Sequence, residues 1–317
     1  IDHCLVGSEM CIRDRPELQF NLGAMLFALS EPENAISFYK EAIRLNANFT
    51  EAYFNLGILF QSQSKFDDAI EYYEKALKIQ PGFYEAITNI GSIKQLQGDL
   101  NQAIKLFKQS LNLKKDAKGH YNIAGAYRNQ GNLVLAIEHL RKAVGLGKQE
   151  PEFYSDLGDA LWHDGQIAEA KEFLSMAVKI DPSHPRANYQ FAIFLYDNKE
   201  FKEAIKYFDQ SHTEDWQERS LYCLYKLKEF DKFKEKLLLL IKSKNNSPFL
   251  ATLATHYAQN FQVPDLYQFC PNPLNYVCQT QIPELVANNF SLVKNLLLDI
   301  NTTDIAQRKQ SLSLIHI

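Results

Sequence analysis

Residues 50–83 read TEAYFNLGILFQSQSKFDDAIEYYEKALKIQPGF, a stretch of 34 residues. Apolar residues recur at helical spacing in two runs, one before and one after the polar break at residues 62–64. Pro81 ends the second run, because proline cannot continue a helix. Gly57 in the first run and Ala69 in the second have side chains small enough to let the two runs approach each other closely. The stretch therefore predicts two amphipathic helices packed closely as a hairpin.

The same unit recurs along most of the chain. A small residue appears every 33 or 34 positions, and an alanine follows each one twelve positions later. The two series are Gly23, Gly57, Gly91, Ala124, Gly158 and Ala192, then Ala35, Ala69, Ala103, Ala136, Ala170 and Ala204. Glycine inside a helix costs roughly 1 kcal/mol relative to alanine, so its recurrence indicates close helix contact. We call the first series the repeat markers.

The array resembles the tetratricopeptide repeat family, whose unit is a helical hairpin of this length. The resemblance implies an all-α fold, a right-handed α-solenoid of stacked hairpins. Beyond the sixth repeat the pattern decays, since Phe233 stands where the close-packing alanine should be. The expected organisation is six repeats (16–211), a degenerate repeat with cap helices (212–262), an extended linker (263–282) and the start of a truncated further domain (283–311).

Both ends of the chain resemble translated sequencing adapter. Residues 9–15, EMCIRDR, and residues 312–317, LSLIHI, can be back-translated into DNA strands that are reverse complements. We therefore exclude 1–15 and 312–317 from fold interpretation. A targeting signal cannot be read from such an N-terminus, and a cytoplasmic location is only the default expectation.

Composition and motifs exclude several classes of function. The net charge is −4 and no Lys/Arg-rich run occurs, so nucleic acid is not an expected partner. Every apolar run, such as that at residues 237–241, is too short to span a membrane. No phosphate loop, nucleophile elbow or metal-binding spacing of His or Cys is present. The sequence predicts no catalytic residue, no metal ligand and no cofactor in this chain.

The family resemblance also indicates where a ligand would bind. In this family the residue two positions before the marker faces the concave groove, which here gives Asn21, Asn55, Asn89, Asn122, Asp156 and Gln190. A carboxamide offers donors and an acceptor, so a row of them can pair with the main chain of an extended peptide. Such a row is similar to the asparagine ladders of nuclear import receptors and of O-linked sugar transferases. The alternative is that each asparagine makes a local helix contact.

Aromatic residues add to the same surface. Phe54, Tyr121 and Tyr189 lie next to the ladder, and Trp162 lies further along its helix. They are candidate peptide contacts, because aromatic anchors are frequent binding hot spots. The alternative is that they pack between neighbouring first helices.

One type of partner is not expected. Family members that bind the C-terminal tails of Hsp70 and Hsp90 use a Lys/Asn clamp for the terminal carboxylate. Those positions hold Phe20, Phe54 and Tyr121, and Ala24, Ile58 and Gly125, in this chain.

Two hypotheses for the function remain. The chain is a protein–protein interaction scaffold that binds an extended peptide or a partner helix in its groove. Alternatively it is the substrate-recruiting arm of an enzyme truncated here, such as a 2-oxoglutarate/Fe(II) oxygenase or a glycosyltransferase.

Overall fold

The computed structural model describes residues 15–213, 215–243, 247–265 and 267. In this part of the chain all regular structure is α-helical, which confirms the predicted fold class. The fifteen described helices are α1 (Pro16–Ala28), α2 (Pro32–Leu45), α3 (Thr50–Ser62), α4 (Phe66–Ile79), α5 (Tyr84–Leu96), α6 (Leu100–Leu113), α7 (Ala117–Asn129), α8 (Leu133–Leu146), α9 (Pro151–His163), α10 (Ile167–Ile180), α11 (Pro185–Asp197), α12 (Phe201–Ser211), α13 (Trp216–Lys226), α14 (Phe230–Lys242) and α15 (Pro248–Phe261).

The small residues of the repeat lie where the two helices of each hairpin meet. All six alanines of the second series are fully buried. A Cβ atom added to Gly23 or Gly91 would lie 2.8 Å from the ring of Tyr39 or Phe107 on the second helix of the same repeat. The marker therefore has to be small because a large side chain, sixteen residues later, fills the space above it.

The turn between the two helices of a repeat needs one residue in the left-handed backbone region. Gly98, Gly131 and Gly165 supply it in the third, fourth and fifth repeats, with φ of 83°, 76° and 85°. Ser64 and Lys199 adopt the same conformation in the second and sixth repeats, with φ of 59° and 65°. Ser30 does the same in the first repeat, with φ of 62°, so three of the six turns hold a residue that is strained in this backbone region.

Successive hairpins bury each other's apolar faces. Leu56 and Leu59 on α3 are fully buried, and the residues at the matching positions of later first helices are buried too. The equivalent residues of α1, Leu22 and Met25, are 37% and 61% exposed. This face of α1 is therefore a repeat-stacking face that no described hairpin covers.

The chain divides into two compact units after residue 243. In the first unit, α13 and α14 follow the six hairpins, and Phe233 is fully buried with its ring centroid 5.5 Å from that of Tyr225. The second unit contributes α15 to the described residues. The predicted further domain at 283–311, the terminal adapter segments except Arg15, and most of the linker at 263–282 lie outside the described residues. None of the described helices has the length and apolar composition needed to cross a bilayer.

Candidate binding surface

The first helices of the six repeats, α1, α3, α5, α7, α9 and α11, form one continuous side of the first unit. Neighbouring first helices contact each other directly, as α1 does with α3, α5 with α7 and α9 with α11. We call this side the first-helix face. It carries the residues two before each marker, which are the predicted ladder, and those four after each marker, which include Trp162.

In the second and third repeats, ladder asparagines bond to a tyrosine of the preceding repeat. The Nδ2 of Asn55 donates to the hydroxyl of Tyr39 at 3.3 Å, and the Nδ2 of Asn89 donates to that of Tyr73 at 3.2 Å. The Tyr73 hydroxyl in turn donates to Oε1 of Gln61 at 2.7 Å. Both asparagines are half-buried. We refer to the two Asn–Tyr contacts as hydroxyl–amide bonds; each joins two repeats and, among the described residues, leaves the amide oxygen of the asparagine without a hydrogen bond.

The other two asparagines have a different environment. Asn21 is exposed on α1. Asn122 follows a repeat in which Phe107 replaces the tyrosine, so no hydroxyl is present to receive its amide. Within the described part of the chain, the Asn122 side chain makes no hydrogen bond. Its donors and acceptor therefore remain available on the first-helix face.

Asp156, at the ladder position of α9, is the centre of a buried polar network. It is 3% exposed, and its two oxygens have different partners. Tyr121 donates to Oδ2 at 2.6 Å, and Nη2 of Arg186 donates to Oδ1 at 2.6 Å. Burial and the Asp156 carboxylate raise the pKa of Tyr121 to about 12, so this hydroxyl stays protonated as a donor. Gln190, the last ladder residue, accepts a hydrogen bond from Ser155.

The predicted aromatic residues are half-buried and pack against neighbouring helices. The Phe54 ring centroid lies 4.7 Å from that of Phe83. Trp162 meets Phe194 edge-on at 5.5 Å, and the Tyr189 hydroxyl donates to Asp215 at 2.8 Å. Each of these side chains thus has a packing role, and each also keeps part of its surface accessible on the first-helix face.

A cavity of about 170 Å³ opens on the first-helix face between the third and fifth repeats. We call it the Arg128 cavity. Its lining residues come from α5, α7, α8 and α9, and they are Gln95, Tyr121, Asn122, Ala124, Gly125, Arg128, Leu140 and Asp156. Three sequence-predicted residues, Tyr121, Asn122 and Asp156, are brought together here. The volume is below the range of about 300–1,000 Å³ typical of small-molecule sites, and suits a single side chain.

Two lining residues, Gln95 and Arg128, are not among the residues predicted from the sequence. Both lie four positions after their marker, which is the register of Trp162. Extending that register to all repeats would have found them. Their importance comes from the cavity, which depends on the small residues Ala124 and Gly125 beside them.

Comparisons with known proteins agree with this architecture. Models described as "Tetratricopeptide repeat" match residues 50–83, 84–150, 127–188 and 161–215, and a model described as "TPR repeat" matches residues 23–64. The chain is 33% identical over 81 residues to bacteriophage adsorption protein A of Escherichia coli K12, which is 26% of this chain and 8% of that protein. It is 27% identical over 133 residues to an uncharacterized protein of Haemophilus influenzae, covering 40% of this chain and 74% of that protein.

Among solved structures, PilW, a widely conserved type IV pilus biogenesis factor, resembles the chain with a TM-score of 0.57 at 16% identity. The match covers 64% of this chain and 96% of that one. This likeness shows the fold alone.

Proposed function

Since the chain belongs to the tetratricopeptide repeat family and is a protein-interaction scaffold, we propose that its first-helix face holds an extended segment of the partner protein. Asn122 and Gln95 carry the proposal. Among the described residues neither side chain makes a hydrogen bond, although both are half-buried beside the Arg128 cavity. A partly desolvated amide that lacks a hydrogen-bond partner gains the most free energy when the main chain of a ligand bonds to it.

Neighbouring residues extend this surface. Asn55 and Asn89 keep their amide oxygens available, because only the nitrogens are used in the hydroxyl–amide bonds. Trp162 presents a half-buried ring further along the face. An extended peptide crossing several first helices would therefore meet amides of two kinds, some held by tyrosine and some free to reorient.

The test uses a synthetic array of acetylated, amidated random dodecapeptides and fluorescently labelled protein. The double variant Gln95→Ala/Asn122→Ala removes two ligand bonds and no internal one. Each bond is worth about 1 kcal/mol, so we expect binding to weaken about tenfold or more. Melting by circular dichroism should be unchanged.

The matched control is Gln109→Ala, an exposed glutamine on the second helix α6. It should bind like the wild type. Equal binding by the double variant and this control would refute the proposal that the first-helix face holds the peptide.

A further inference from the structure

The Arg128 cavity presents an unusual balance of hydrogen-bonding groups. Of its polar lining, Gln95 and Asn122 have unused donors, and the Nε2 of Gln95 lies over Gly125, where an added Cβ would be 3.6 Å away. Gly125 leaves that amide nitrogen accessible from the cavity. The lack of a hydroxyl on Phe107 keeps the Asn122 amide accessible too.

Asp156, the acidic residue in the cavity lining, is already engaged. Both oxygens of Asp156 are occupied, by Tyr121 and by Arg186. Asp159 does not line the cavity; its Oδ1 lies 3.5 Å from Nδ1 of His163, which hydrogen-bonds to the backbone carbonyl of Asp159. A ligand cation would have to displace Tyr121 or Arg186 from Asp156 and would face the guanidinium groups of Arg128 and Arg186, so the cavity disfavours lysine and arginine side chains.

The guanidinium of Arg128 forms long ion pairs with Asp156 and Asp159 but makes no hydrogen bond among the described residues. Its Nη1 is 3.9 Å from Oδ1 of Asp156 and 3.8 Å from Oδ2 of Asp159, beyond hydrogen-bond distance. Its side chain is 39% exposed. An arginine offers five N–H donors in a planar fork that matches a carboxylate in two parallel bonds.

We propose that the Arg128 cavity selects a carboxylate of the bound peptide, with Arg128 as its two-point partner and Asn122 and Gln95 donating beside it. The inference deepens the proposed function and rests on it. The cavity volume suits one side chain, and every uncommitted polar group that lines it can donate. A carboxylate can come from an aspartate or glutamate side chain or from the peptide's own C-terminus.

The experiment is a positional-scanning array of acetylated dodecapeptides, in which one position is fixed and the rest are random. Amidated peptides fixed as Glu, Asp, Gln or Lys test a side-chain carboxylate, and Gln peptides with a free C-terminus test a terminal one. At one position, or at the terminus, we expect the carboxylate to bind about tenfold tighter than its neutral counterpart, as a charged hydrogen bond allows.

Arg128→Gln should abolish this preference while binding the rest of the array unchanged. Arg128→Lys should keep part of it, since the charge remains but the fork is lost. The control is Arg141→Gln on the second helix α8, whose guanidinium pairs with Glu169; it should keep the full preference. Circular dichroism melting checks that each variant is folded.

Equal binding of Glu and Gln peptides, a preference for Lys, or a carboxylate preference that survives in Arg128→Gln would overturn the inference and leave the proposed function standing. A wild-type protein that binds no peptide on the array would instead refute the proposed function, and the inference with it.

Discussion

Replacing Tyr73 by phenylalanine should weaken the contact between the second and third repeats. The substitution removes a hydroxyl that accepts from Asn89 at 3.2 Å and donates to Gln61 at 2.7 Å. A neutral hydrogen bond contributes about 1 kcal/mol net, so two of them set an upper value of about 2–3 kcal/mol. The half-buried amides of Asn89 and Gln61 can turn toward water, which reduces the expected loss to about 1–2 kcal/mol.

The ring itself should fit without strain, because Phe107 fills the matching position of the next repeat. Urea unfolding followed by circular dichroism at 222 nm measures the loss. The control is Tyr72→Phe, a neighbouring residue whose hydroxyl makes no hydrogen bond among the described residues. Its substitution should change stability by less than about 0.5 kcal/mol. If Tyr73→Phe is no more destabilising than Tyr72→Phe, the hydroxyl–amide bonds do not stabilise the repeat interface.

Four further substitutions test the packing of the array and its dependence on pH by the same urea assay. Leu59→Ala should cost about 2–5 kcal/mol and Met25→Ala less than about 0.5 kcal/mol, since only the former is buried; similar losses would contradict the description of α1 as uncovered. Gly57→Ala should destabilise the second hairpin, because its methyl group would overlap the ring above it, and an unchanged urea midpoint would argue against that close approach. Burial and the neighbouring His120 lower the pKa of His139 to about 4, whereas an unfolded histidine titrates near 6.5. The unfolded chain therefore binds more protons between these values, and stability should fall as the pH drops from about 6.5 to 4. His139→Gln should reduce this dependence of stability on pH. A variant with the same pH profile as the wild type would contradict the role given to His139.

The fold could be predicted because its cause is local and repeated. The spacing of Gly57 and Ala69, with a stop at Pro81, specifies one hairpin, and six copies of that spacing specify the array. The turn at Ser64 was less predictable, because serine by itself disfavours the left-handed backbone region. The two packed helices on either side hold Ser64 in that conformation.

The candidate surface could be predicted only in part. The register placed Asn55 and Asn122 on the same face, but it could not show that one bonds to a tyrosine and the other does not. That difference arises from a residue sixteen positions before Asn55 and fifteen before Asn122, on the preceding repeat: Tyr39 in one case and Phe107 in the other. Likewise, the cavity beside Arg128 forms from three neighbouring repeats, and no single repeat contains its pattern.

The hydroxyl–amide bonds determine which repeat can serve as a building block. The unit at residues 50–83 carries Asn55, which donates to the tyrosine of the repeat before it, and Tyr73, which accepts from the asparagine of the repeat after it. A tandem copy of this unit would therefore recreate the bond at every new junction, between Tyr73 of one copy and Asn55 of the next. The third repeat carries Asn89 but has Phe107 in place of the tyrosine. Neighbouring copies of it would therefore lack the hydroxyl that accepts the asparagine amide. An array lengthened by gene duplication or by design would therefore keep its lateral bonding if the second repeat were copied, and would lose it at every junction made from the third.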